Sequence, residues 1–89
     1  MDKFKVIIVE DVKLELKGTE EIFRHDIPEA EIIGTAQNES EFWKLMRGEA
    51  PDLVLLDLGL GGSTTVGVDI CRPLTDGRYQ LLVLISAVS

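Results

Sequence analysis

The chain predicts an α/β fold built on a parallel β-sheet, and three features carry that reading. Strand-like and helix-like segments alternate along the sequence with no internal repeat or low-complexity linker, as successive βαβ units require. Two of the strand-like stretches, KVIIVED (5–11) and PDLVLLD (51–57), hold at 6–9 and 53–56 runs that are apolar throughout rather than alternating, which marks strands covered on both faces. The 89 residues suffice for one domain, 1–89, with a modest core.

Each element has its own signal. Residues 6–9 form the first strand, four β-branched residues in a row. Val12, Leu16, Thr19, Ile22 and Phe23 then recur at helical spacing, with Asp11 placed to cap the start and Pro28 beyond the end. Gly18 weakens that helix slightly. Residues 31–36 (EIIGTA) read as a second strand. Asn38 with Glu41 three residues on reads as a capping box, opening a helix through Phe42, Leu45 and Met46 that Gly48 ends. Residues 52–56 and 80–85 (QLLVLI) give the third and fourth strands. Between them lie the glycine-rich LGLGGSTT and a short helix through Val66, Ile70 and Leu74, bent or ended by Pro73.

Composition narrows the function. The chain is 45% hydrophobic and 28% charged, which is globular, and its net charge of -7 argues against direct binding to nucleic acid phosphates. The single cysteine, Cys71, excludes an internal disulfide and fits a reducing compartment, so a cytoplasmic location is expected. The apolar run after Lys5 is too short for a signal sequence or a bilayer span, and no membrane association is expected.

Parallel strands joined by right-handed crossovers bring their carboxyl ends to one edge, where ligands of open α/β sheets bind. Glu10 and Asp11 leave the first strand there, and Asp57 leaves the third. Two carboxylates about 5 Å apart at an effective dielectric of about 20 repel by roughly 3 kcal/mol, so three together call for a positive partner. Hard oxygen donors with open positions suit Mg²⁺.

On these residues the chain resembles the receiver domain of bacterial two-component response regulators. The resemblance runs from Lys5 to Ala87 and rests on Glu10-Asp11 in IIVEDV, on PDLVLLD ending at Asp57, and on Ser86-Ala87 in VLISA. Each motif is common by itself, and it is their order and intervals that are specific. The resemblance implies a flavodoxin-like, doubly wound parallel sheet of strand order 2-1-3-4. It also implies that Asp57 accepts a phosphoryl group from a sensor histidine kinase. Asp11 would hold Mg²⁺ (or Mn²⁺) directly and Glu10 through water, with Asp57 and the Gly59 carbonyl completing the site, while Ser86 contacts the phosphoryl oxygens. The chemistry is that of a phosphoacceptor signalling domain rather than a turnover enzyme.

The chain also departs from the family pattern. Gly61 and Gly62 stand where a proline is usual, and the usual fifth strand, its terminal lysine and the last helices are lacking, so the reading is of a domain truncated at its C-terminus. On that reading the strand at 80–85 is an uncovered edge that a second copy or a completing chain would pair, and parts of 6–9 and 53–56 lose their cover. An interaction module that no longer switches by phosphorylation is the alternative function.

Other features carry plainer readings. LGLGG lacks the lysine of a phosphate loop. Of Phe42 and Trp43, one packs and the other covers surface, His25 complements a helix C-terminus, and Cys71 belongs to the core.

Overall fold

The computed structural model describes residues 3–57 and 82–86, with residues 57 and 82–86 described by backbone alone. In chain order the elements are β1 (Phe4–Val9), α1 (Lys13–Asp26), β2 (Ala30–Ala36), α2 (Glu39–Met46), β3 (Leu53–Asp57) and β4 (Leu82–Ser86). All strand pairs among the described residues are parallel, and the sheet order is β2-β1-β3-β4, the doubly wound, flavodoxin-like order expected. The glycine-rich stretch and the short helix expected through Val66, Ile70 and Leu74 fall outside the described residues, as do Gly59 and Cys71.

Strand alternation divides the core between the two faces of the sheet. Ile7 and Val9 of β1 join Val54, Leu56, Ala36 and Phe42 in one cluster beneath α2, while Val6 and Ile8 join Leu16 and Phe23 beneath α1. Helices thus cover opposite faces, which is why β1 is apolar at every position from Val6 to Val9. The expectation that residues 6–9 lose cover is corrected: all four are buried, at most 1% exposed, and only Leu53 and Leu55 of β3 are half-buried.

A bulge shapes β2. Val6 pairs with Ile32 but Ile7 with Gly34, leaving Ile33 as the extra residue. Ile32 packs in the α1 cluster and Ile33 in the α2 cluster. Gly34 also faces α2, where a Cβ would sit 2.6 Å from Leu45 Cδ2. Two consecutive residues toward one helix leave no room for a second side chain, and glycine supplies the gap.

Several sequence readings need correction at element ends. The N-cap position of α1 is Val12, one residue after the Asp11 read as the cap. Of the residues placed on its inner face, Leu16 and Phe23 are buried, while Val12 and Ile22 are 45% and 56% exposed. The buried stripe of α1 is narrower than the period implied. β3 and β4 run one residue further than read, taking in Asp57 and Ser86. Phe42 is the fully buried member of the aromatic pair; Trp43, half-buried, meets it edge to face at 4.9 Å and donates its indole N–H to Glu39 at 3.2 Å.

Candidate functional site at the carboxyl edge of the sheet

Because β1, β3 and β4 are parallel and adjacent, their carboxyl ends meet at one edge. Val9 pairs with Leu56, and the next residues along the two strands are Glu10 and Asp57. Asp57 in turn pairs with Ser86. Neighbouring strands lie about 4.8 Å apart, so these backbone positions are within reach of one small ligand. The sequence reading that Glu10, Asp11, Asp57 and Ser86 belong to one edge therefore agrees with the observed register. The side chains of Asp57 and Ser86 and all of Gly59 lie outside what is described.

Glu10 is held by its main chain, whose N–H donates to the Ala36 carbonyl at 2.9 Å, and the residue is only 4% exposed. Asp11 is half-buried beside it. A buried carboxylate next to a second acid is an expensive arrangement in low dielectric, and one that hard divalent cations relieve. The donor set thus fits Mg²⁺ in chemistry. Among the described residues, which exclude the Asp57 side chain, no three His, Cys, Asp or Glu side chains gather around one point.

One neighbour of the acidic pair carries no sequence signal. Gln37, half-buried just after β2, donates its side-chain amide to the Asp11 carbonyl across 3.5 Å. Its own N–H donates to Glu41 Oε1 at 2.7 Å, and the Glu41 N–H donates to the Asn38 side chain at 2.9 Å. The capping box read from Asn38 and Glu41 is therefore present with one change. The return arm reaches the N–H before the cap rather than that of the cap itself.

The comparisons agree with this architecture. Residues 6–89 match the response regulator receiver domain model. The signal receiver domain of the response regulator NarL from Mycobacterium tuberculosis superposes with a TM-score of 0.84 at 19% identity, covering 100% of this chain and 69% of that one. RcsB from Salmonella typhimurium gives 0.83 at 16% identity, covering all of this chain and 44% of its own. The signal receiver domain of the DNA-binding response regulator merR from Colwellia psychrerythraea 34H gives 0.81 at 26% identity, with 98% and 70% covered. A comparison with curated proteins found no match. The chain belongs to the response regulator receiver domain family, a family of signalling domains in two-component systems. It spans less than half the length of RcsB. No helix among the described residues is long and apolar enough to cross a membrane.

Proposed function

We propose that the chain is a phosphoacceptor: Asp57 takes a phosphoryl group from the phosphohistidine of a sensor kinase, in a reaction that needs Mg²⁺. The observation that supports this most is the register of the edge, with Val9 beside Leu56 and Asp57 beside Ser86, so that the two acids following β1 leave the sheet at the edge where Asp57 lies, with Ser86 on the strand beyond it. In the transfer, an Asp57 carboxylate oxygen forms a bond to phosphorus as the bond from phosphorus to the histidine nitrogen breaks, and that nitrogen keeps the electron pair. The attack brings an anion onto an anion, so positioning and charge cancellation dominate the barrier.

Asp11, Glu10, Asp57 and the Gly59 carbonyl are the groups proposed to hold Mg²⁺, which when bound supplies the positive charge that offsets the phosphoryl oxygens. Glu10, buried and tied to Ala36, keeps the carboxyl end of β1 fixed at this edge. Ser86 is proposed to bond the phosphoryl oxygens, drawing the end of β4 toward Asp57 and so converting added charge into a change at the sheet edge. The segment is proposed to act in the cytoplasm, as its single cysteine suits, and with its acidic balance to contact the kinase rather than nucleic acid.

Incubation with a small acyl phosphate donor and Mg²⁺ tests the reading by intact mass. One phosphoryl group should be added with Mg²⁺, and none when a chelator replaces the metal or in Asp57→Asn. A folded chain that is never labelled under these conditions would instead favour the interaction module.

A further inference from the structure

We infer that Gln37 is a positioning residue for the acidic pair, holding the Asp11–Val12 peptide in place from the β2–α2 loop; this rests on the proposed role of Glu10 and Asp11. Two bonds tie the carboxyl end of β1 to the end of β2. The Glu10 N–H donates to the Ala36 carbonyl at 2.9 Å, and one residue further on each chain the Gln37 amide donates to the Asp11 carbonyl at 3.5 Å. The first bond continues the sheet ladder. The second does not, because α1 begins at Lys13 and the chain has already left the strand. At that point the main chain turns, and the turn decides where the Asp11 carboxylate sits relative to Glu10.

Gln37 can hold that turn because its own backbone is fixed. Glu41, in the first turn of α2, accepts its N–H at 2.7 Å, and the N-cap Asn38 accepts from Glu41 in return. The path from the start of α2 through Glu41 and Gln37 to Asp11 is continuous. A side chain that orients a ligating residue through its main chain acts on metal affinity without touching the metal.

Gln37→Met keeps the length and packing of the side chain and removes the donor. In the full chain it should weaken Mn²⁺ binding, read by titration, at least about threefold while the melting temperature stays within about 2 °C of wild type. In the metal-free protein the Val12 amide, which shares a peptide unit with the Asp11 carbonyl, should shift and exchange faster with solvent. Superimposable titrations, together with unchanged Val12 resonance and exchange, would overturn the inference. Should the wild-type chain not bind Mn²⁺ at all, the reading of the site fails, and the metal-free Val12 data alone decide whether Gln37 positions this turn.

Discussion

Asp52 bonds Lys5 twice: its carboxylate accepts the Lys5 N–H at 2.8 Å, and its own N–H donates to the Lys5 carbonyl at 2.8 Å. The pair fastens the amino end of β3 to β1 at the edge opposite the acidic pair, and so helps set the register that brings Glu10 beside Asp57. Asp52→Ala should lower stability by about 0.5–1.5 kcal/mol, toward the lower end because the group is exposed, with Asp52→Asn losing less since it keeps an acceptor. Urea melts of the three proteins check the order.

Lys5 is also the source of an alkaline pH dependence. Its ammonium lies 2.6 Å from the Glu49 carboxylate, and that hydrogen bond, followed by the Glu49 charge, holds its pKa above the ordinary 10.5. A folded-state pKa above the unfolded one means the folded chain binds more protons, so this contribution is fully present below about pH 10.5 and fades as pH rises through the elevated value. Both groups are exposed, and added salt should shrink the effect. Stability measured from pH 9 upward should fall less steeply in Glu49→Gln than in wild type; parallel curves would count against the pair.

Gly18 offers a stabilising change. It sits inside α1, and a Cβ built there meets nothing within 4 Å. Gly18→Ala should therefore stabilise the chain by about 0.5–1 kcal/mol, through the unfolded state as much as through the helix. A melting temperature raised by several degrees is the expected reading.

The contrast between Gly18 and Gly34 shows how far the sequence could be read. Strands whose residues are apolar on both faces, such as Val6 to Val9, are legible when the run is short and β-branched throughout, a composition that suits a doubly covered strand better than a buried helix. The edge where β1 and β3 end was legible too, since Glu10, Asp11 and Asp57 each interrupt an apolar run. What period alone cannot give is the width of a helix contact, so Val12 and Ile22 fitted the spacing of α1 yet lie exposed. Nor can it give the bulge at Ile33, which depends on how β2 aligns with β1. Asp11 was compatible with both a cap and a ligand role, and the cap position itself falls one residue later, at Val12. Gln37 carried no signal at all: an uncharged amide after a strand gains its meaning from the Asp11 carbonyl that lies 26 residues away in sequence.

Gly34 should behave oppositely to Gly18. Its Cβ would fall 2.6 Å from Leu45 Cδ2 and 2.9 Å from Cδ1, so Gly34→Ala forces the Leu45 side chain out of its place over the sheet. The obstacle is the tip of one flexible side chain rather than backbone, which sets the expected loss at about 1 kcal/mol, the low end for overpacking. Leu45→Ala alone should also destabilise, but the double variant should lose less than the sum of the two. Strict additivity in denaturant melts would refute the contact.

Metal linkage gives the most direct test of the acidic pair. A cation that binds only the folded chain raises stability by RT ln(1 + [L]/Kd), about 2.7 kcal/mol when its concentration is one hundred times Kd. The wild-type chain should therefore melt several degrees higher in excess Mg²⁺ than in chelator, and Mn²⁺ should act likewise. Asp11→Asn removes the charge of the proposed direct ligand at a half-buried position while keeping the side chain's size and an acceptor oxygen. In chelator this variant should melt close to wild type, while the rise on adding Mg²⁺ should largely vanish. Lys5 lies at the far end of β1, so Glu49→Gln, which acts there, should leave the Mg²⁺ rise intact and serves as the control. Equal Mg²⁺ rises in wild type and Asp11→Asn would mean that the cation binds elsewhere, and the carboxyl edge would lose its claim to the metal.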